Sequence, residues 1–198
     1  MSIRRVQQHI NQGFTLVETL VAITILLLVI VGPMTAAQRG IQQSYFSNEQ
    51  IIATFLAQEA VEGMRVFRDG SALDLLDSSA PAGLESTDWL YLGGTNSIDS
   101  RCVGSQTCSF DKTATLPYQA FEQCVDEECE VVIDVNTGEY IQGGTGSGTG
   151  FNRTVTIFND GNDNIRVVSK VTWDSSVFGG EREVVVQSWI YDQYQRYE

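Results

Sequence analysis

The chain has 198 residues, which is enough for one domain with a hydrophobic core and one further segment. Its formal net charge is −13, which excludes a general electrostatic attraction to nucleic acid or to anionic lipid. An acidic surface of this kind keeps an exported domain soluble. We therefore expect no nucleic-acid partner.

Hydrophobic residues are concentrated near the N-terminus, where residues 14–31 read FTLVETLVAITILLLVIV. This stretch carries one charged residue, Glu18, and it ends at Gly32 and Pro33. Eighteen helical residues span about 27 Å, which is just enough to cross the hydrocarbon core of a bilayer. The sequence therefore predicts a membrane-spanning helix over residues 14–31.

The flanks of this stretch allow two ordinary interpretations. A secretory signal peptide would be cleaved after small residues such as Ala36 and Ala37, but this apolar stretch is unusually long and is charged near its start. A permanent signal anchor would keep the stretch in the membrane. Arg4 and Arg5 on one side, and the acidic body on the other, then place the N-terminus in the cytoplasm.

A third interpretation rests on the junction just before the apolar stretch. Residues 13–18 read GFTLVE and lead directly into the helix. This junction resembles the leader junction of type IV pilins and of type II secretion pseudopilins. The resemblance implies that prepilin peptidase cleaves between Gly13 and Phe14, so that residues 1–13 are a leader peptide. It also implies N-methylation of Phe14, the new N-terminal residue.

Glu18 is the unusual residue of the apolar stretch. A carboxylate inside a bilayer costs on the order of 3 kcal/mol on insertion scales, so such residues usually have a function. Cleavage would create an amine at Phe14, about one helical turn away, which Glu18 can partly neutralise. The resemblance implies a role in assembly, in which Glu18 of an incoming subunit attracts the Phe14 amine of a neighbour. A carboxylate that merely reaches back to water is the alternative.

Beyond Gly32 and Pro33, apolar residues recur every three or four positions, which predicts an amphipathic continuation of the helix over residues 32–69. The proline predicts a kink or an interruption. Asp69 and Gly70 are a typical helix end. We predict one interrupted helix of roughly 55 residues, whose second half packs on a globular head.

Residues 70–130 read as an irregular, variable region with four cysteines: Cys102, Cys108, Cys124 and Cys129. An even number of cysteines in an exported region favours disulfides, and local pairing of the first two and of the last two is the favoured connectivity. A zinc site and free thiols stay open as alternatives, although the spacings fit a zinc ribbon poorly.

Residues 131–198 are predicted to form an antiparallel sheet of about four strands. A hairpin at EVVIDV comes first, a flexible loop GGTGSGTG follows, and the clearest strands cover residues 151–158, 165–174 and 183–192. Alternation within the second of these strands predicts one buried face that covers the apolar stripe of the helix. The predicted fold class is therefore α+β, and a long helix on an antiparallel sheet is also the architecture that the resemblance implies.

The sequence offers no catalytic constellation, so we expect no enzyme, no cofactor and no metal. The single histidine, His9, lies in the predicted leader. Two weaker interpretations concern the head. Oxygen ligands at residues 160–164 are compatible with a calcium loop. Four basic residues are candidates for a patch on the outer face of the sheet: Arg153, Arg166, Lys170 and Arg182.

The sequence thus predicts a structural subunit of a pilus or pseudopilus. The segment VTWDS…GGEREVVVQSWIY resembles the end of minor pilins and favours a minor subunit. The resemblance implies three partners: other pilin or pseudopilin subunits, prepilin peptidase and the assembly platform. It places the chain in the inner membrane with an extracytoplasmic head, and later in an extracellular filament. A single-pass membrane-anchored extracellular binding module is the alternative.

Overall fold

The computed structural model describes residues 13–76, 101–104, 106–114, 120–161 and 164–191. Arg4, Arg5 and His9 lie outside the described residues, as do Asn162 and Asp163 of the predicted calcium loop. The chain consists of two compact units, with the boundary between Tyr45 and Phe46. The first contains the apolar stretch, and the second, called the head below, contains the sheet.

One long helix, α1, runs from Leu16 to Leu76. It continues through Gly32 and Pro33, so the predicted interruption is wrong. The fixed backbone angle of proline is compatible with a helix, and its missing N–H group leaves a single carbonyl without its usual donor. The helix also ends at Leu76 rather than at the predicted Asp69-Gly70. A helical glycine costs only about 1 kcal/mol, and the following SALDLL contains strong helix formers.

In the described residues, the head contains one antiparallel sheet of seven strands. The strands are β1 (Cys108–Phe110), β2 (Phe121–Gln123), β3 (Glu130–Ile133), β4 (Tyr140–Ile141), β5 (Ser147–Gly161), β6 (Asn164–Asp174) and β7 (Glu181–Tyr191). Strand β5 is central: β1 and β3 pair along one side of it, and β6 pairs along the other. Strands β2, β4 and β7 extend the sheet from β1, β3 and β6.

The α+β class is confirmed, but the described part of the sheet has seven strands instead of about four. Strand β4 is the return strand of the predicted hairpin. Strands β1 and β2 have only three residues each, which is too short to show an alternating pattern. Strand β5 begins inside the glycine-rich stretch that the sequence predicts as a loop. Gly148 explains this, because it pairs with Val132 and a Cβ atom there would lie 2.8 Å from the Glu130 carboxylate.

The core lies between α1 and one face of the sheet. Small and apolar side chains of the helix are buried at three- and four-residue spacing: Ala53, Leu56, Ala57, Ala60, Val61, Met64 and Phe67. Strand β6 alternates as predicted, with Ile165, Val167, Val171 and Trp173 buried. The neighbouring Phe55 lies off this buried side of the helix and is 67% exposed. The alanines let the helix approach the sheet closely.

Two disulfides join neighbouring segments of the sheet. Cys102 pairs with Cys108, and Cys124 pairs with Cys129, with Cα–Cα distances of 5.7 and 5.3 Å. This is the local connectivity that the spacing favours. All four cysteines are buried. The first disulfide links Cys102 to the start of β1, and the second closes the connection between β2 and β3.

Gly63 provides a test of how closely α1 packs on the sheet. A Cβ atom at Gly63 would lie 2.2 Å from the ring of Phe110, which is itself buried between Phe121 and Arg153. We expect Gly63→Ala to lower the free energy of unfolding by about 1–3 kcal/mol, as overpacking does. The measurement is denaturant unfolding followed by tryptophan fluorescence.

Gly70→Ala is the matched control, because a Cβ atom at Gly70 meets nothing within 4 Å. It gains helix propensity without a clash, so stability should stay constant or rise by up to about 1 kcal/mol. Equal effects of the two substitutions would contradict the close packing at Gly63.

Candidate functional site

The start of α1 is the candidate site. Gly13, Phe14 and Thr15 precede the first helical residue, and the Phe14 side chain is 79% exposed. The Thr15 hydroxyl accepts a hydrogen bond from the backbone N–H of Glu18 at 3.3 Å, and the Thr15 carbonyl accepts one from the N–H of Thr19 at 3.2 Å. Thr15 is therefore the N-cap of the helix.

Thr15 and Glu18 also have the spacing of a capping box. The pattern Thr-x-x-Glu is readable in the sequence, and it predicts a helix-capping role for Glu18 beside the predicted role in assembly. The carboxylate lies in the first turn, where a negative charge is favourable to the helix dipole. Two explanations of Glu18 therefore need to be separated: helix capping, and attraction to a neighbouring amine.

The helix that follows exposes apolar side chains on all sides. Every large hydrophobic residue between Leu16 and Val31 is at least half exposed. Thr19 and Thr24 donate their hydroxyl protons to the carbonyls of Leu16 and Val21, each at 2.8 Å, so these polar groups are satisfied within the helix. Such a surface suits hydrocarbon rather than water.

By length and composition, this helix can cross a membrane. Its most apolar window of 18 residues has a mean hydropathy of 2.5. Each backbone hydrogen bond of a helix is made within the segment, which is what a bilayer requires. The site therefore combines a capped start at Thr15, one carboxylate at Glu18 and an apolar helix long enough to cross a membrane.

A second feature, in the head, connects α1 to the sheet through a buried arginine. Arg153 is 1% exposed. Its Nη1 donates to the Leu56 carbonyl at 3.0 Å and to the Glu59 carboxylate at 2.8 Å, and its Nη2 donates to the Phe110 carbonyl at 2.6 Å. One side chain thus fixes two carbonyls and one carboxylate from α1 and β1.

Gln142 completes the contacts of Arg153. Its side-chain oxygen accepts from Arg153 Nε at 2.7 Å and from the Phe110 N–H at 3.0 Å. Its amide donates to the carbonyls of Cys129 and Arg153. Burial lowers the pKa of Arg153, and the Glu59 carboxylate opposes that shift. The guanidinium stays charged, because arginine does not lose its proton in proteins.

The predicted basic patch is wrong, because strand alternation separates its members. Arg153 shares the buried face of β5 with apolar residues, and Arg182 extends over the ring of Phe46 with its guanidinium carbon 5.9 Å from the centroid. Arg166 lies over the ring of Phe158 at 4.4 Å. Lys170 pairs with Glu183 at 2.8 Å. These residues make separate contacts rather than one surface.

Glu49 makes a contact between α1 and the sheet that was not predicted from the sequence. Its carboxylate accepts hydrogen bonds from the Trp173 indole at 3.3 Å and from the Ser176 hydroxyl and N–H. The Ser176 hydroxyl is the main reason that the pKa of Glu49 is lowered. These bonds attach α1 to the turn between β6 and β7.

The described part of the chain contains no candidate metal site, because no group of three or more His, Cys, Asp or Glu side chains there is arranged to hold an ion. The predicted calcium loop at residues 160–164 is only partly covered by the described residues.

A long apolar N-terminal helix and a curled antiparallel sheet define an α+β, pilin-like fold. Within this fold, residues 9–32 match the family model of the prokaryotic N-terminal methylation motif. This motif is typical of type IV pilins and pseudopilins. The match covers the junction at Gly13 and Phe14, the residue Glu18 and the apolar helix. No curated protein and no solved structure shows a significant match to the chain.

Arg153→Met tests the buried contact between α1 and the sheet. The variant removes the donors that Arg153 gives to Gln142 and to the Phe110 carbonyl, and it leaves Glu59 with only its 3.5 Å contact to Lys112. We therefore expect the free energy of unfolding to fall by about 3–5 kcal/mol. Denaturant unfolding measures the loss. Lys170→Met is the matched control on the outer face, where losing the exposed ion pair with Glu183 costs about 1 kcal/mol or less. A smaller loss at Arg153 than at Lys170 would refute the role of Arg153.

Proposed function

We propose that the chain is a structural subunit of a type IV pilus or of a type II secretion-like pseudopilus, matured by prepilin peptidase at the Gly13–Phe14 bond. The observation that carries this proposal is the methylation motif at residues 9–32, which coincides with the capped start of an exposed apolar helix. Proteins with this motif are structural, which supports a role in assembly rather than in catalysis.

Before assembly, residues 14–31 anchor the chain in the inner membrane. Arg4 and Arg5 favour a cytoplasmic N-terminus, so that the head lies outside the cytoplasm. The two disulfides fit this location, because disulfides persist in oxidising compartments. After cleavage, the same apolar surface packs against the helices of neighbouring subunits in the filament.

Glu18 supplies the polar contact of this packing. Cleavage creates a positive amine at Phe14, and N-methylation leaves that amine able to carry a proton. In an apolar surrounding, a carboxylate and an amine attract each other strongly because little water screens them. Glu18 of one subunit therefore binds the Phe14 amine of a neighbour and fixes the axial position of the incoming subunit.

A minor subunit is the finer proposal. The final strands of this chain, with VTWDS followed by GGEREVVVQSWIY, support it by their resemblance to the same region of minor pilins. A minor subunit would act through its contacts with other pilins and with the assembly platform, at few copies per filament. Its head is then free to differ from that of the major subunit.

The mature N-terminus is the direct test of processing. We expect intact-mass spectrometry of the chain from its native membrane to show a start at Phe14 carrying one added methyl group. Gly13→Glu should leave the chain uncut, because the residue before the cleaved bond is changed while the helix is not. A start before Gly13, or after Ala36 or Ala37, would overturn the proposal and favour a membrane-anchored binding module or an ordinary secreted protein.

Two substitutions at Glu18 separate attraction from capping. Glu18→Gln removes the charge but keeps a side chain that fits a capping box, whereas Glu18→Ala removes both. We expect both variants to enter filaments at least about tenfold less than the native chain, since one lost contact of about 1.4 kcal/mol has that effect. Immunoblots of sheared filaments and of membranes measure this ratio.

Glu62→Gln serves as the matched control, because Glu62 is an exposed helical carboxylate of the head. This variant should assemble as the native chain does. Normal assembly of Glu18→Gln together with failure of Glu18→Ala would show that Glu18 acts as a helix cap and not as a charge.

A further inference from the structure

One hydrogen bond at the start of α1 sets where the helix begins. In a continuing helix, the backbone N–H of Glu18 would donate to the carbonyl of Phe14, four residues earlier. Here the Glu18 N–H donates to the Thr15 hydroxyl at 3.3 Å instead. The Thr15 carbonyl accepts a helical hydrogen bond from the Thr19 N–H at 3.2 Å. The Thr15 hydroxyl therefore takes the place of the Phe14 carbonyl as the acceptor.

This exchange of acceptors keeps the Gly13–Phe14 peptide bond outside the helix. Gly13, Phe14 and Thr15 are not helical, and the Phe14 side chain is 79% exposed. A peptide group inside a helix has its carbonyl turned along the axis and bonded to the next turn, which hinders attack on the carbonyl carbon. Proteolytic cuts accordingly concentrate in exposed, irregular segments. The peptide bond just before the N-cap is therefore held in a cleavable conformation.

Loss of the Thr15 hydroxyl would draw the helix towards this bond. An unpaired backbone donor is costly at the end of an apolar helix, and the Phe14 carbonyl is the acceptor that helical geometry offers to the Glu18 N–H. The sequence also contains Asn11, which lies outside the described residues but is a residue type that caps helices as well as threonine does. A helix that begins after Asn11 would contain Gly13 and Phe14 in its first turn.

We propose that Thr15 is a positioning residue for cleavage by prepilin peptidase, because its hydroxyl holds the Glu18 N–H and so keeps the preceding peptide bond unwound. This inference rests on the proposed processing at Gly13–Phe14 and assigns a role in it to the residue that follows the bond. In the reaction, water adds across the amide and leaves a carboxylate on Gly13 and an amine on Phe14. The peptidase supplies the groups that activate the water, and Thr15 takes no part in the proton transfers.

A positioning role affects binding to the peptidase rather than the chemical step. When an enzyme binds only the unwound form of a substrate, the apparent dissociation constant is the intrinsic constant divided by the fraction of that form. Loss of an N-cap shifts the balance between two helix starts by about fivefold. The loss therefore raises KM and leaves kcat unchanged, because bound chains react as before. A hydroxyl that stabilised the transition state would change kcat instead.

The test measures cleavage of the full chain in detergent micelles by a purified prepilin peptidase, with the cut chain quantified by intact-mass spectrometry. Thr15→Val keeps the shape of the side chain but removes the acceptor, so KM should rise at least threefold with kcat unchanged. Thr15→Ser and Thr15→Asn both keep an N-cap acceptor, and asparagine does so without a hydroxyl. Both of these variants should keep KM within twofold of the native value.

Thr24→Val is the matched control, because it removes a threonine hydroxyl from the same apolar helix. The Thr24 hydroxyl donates to the Val21 carbonyl at 2.8 Å and does not contribute to the helix start, so KM should stay within twofold of the native value. The helix start itself is measured in the uncut chain from the NMR backbone carbon shifts of Phe14. These shifts should move towards helical values in Thr15→Val and should stay unchanged in Thr15→Asn and in Thr24→Val.

The outcomes distinguish the role of Thr15 from the proposed processing. If the native chain is not cut between Gly13 and Phe14, the proposed processing fails and the role of Thr15 fails with it. If the native chain is cut there and Thr15→Val keeps the native KM, only the positioning role is overturned. An equal loss in Thr15→Asn and Thr15→Val would also overturn that role, because the peptidase would then recognise the hydroxyl itself. A lower kcat at unchanged KM in Thr15→Val would do the same.

Discussion

The head depends on one buried charge. Arg153 lies where α1, β1 and β5 meet, and it donates to carbonyls of both the helix and the sheet. Removing a guanidinium from water is expensive unless each of its donors is matched, and here Glu59 and Gln142 supply the remaining acceptors. The same hydrogen bonds fix the position of α1 along the sheet. The apolar contacts between α1 and the sheet depend on that position.

The two halves of α1 obey different constraints. The half that contains Glu18 has apolar side chains in every direction and is suited to hydrocarbon or to other helices. The half that contains Ala53 and Ala57 has small residues on one side and needs the sheet. The apolar surface and the surface that packs on the sheet are therefore encoded in different parts of one helix, and changes in the head can accumulate without altering the first half.

Local signals in the sequence were sufficient to predict the apolar N-terminal helix and partly sufficient to predict the sheet. GFTLVE and the apolar run predicted the N-terminal segment, and alternation in β6 predicted which residues are buried. Arg153 escaped prediction because a charged residue within an alternating strand normally faces water. Its partner Glu59 lies 94 residues away, so only the folded chain reveals the pair. Strands β1 and β2 were missed because they are too short to show a period.

The ring of Phe110 has a consequence for how this sequence can change. It fills the space that a side chain at Gly63 would need, and its other side lies near the Arg153 guanidinium. The three positions therefore form one steric and electrostatic unit that spans helix, short strand and central strand. A larger residue in place of Gly63 is acceptable only if Phe110 becomes smaller, and a smaller ring leaves the arginine less enclosed. Descendants of this chain should keep the three residues together or lose them together.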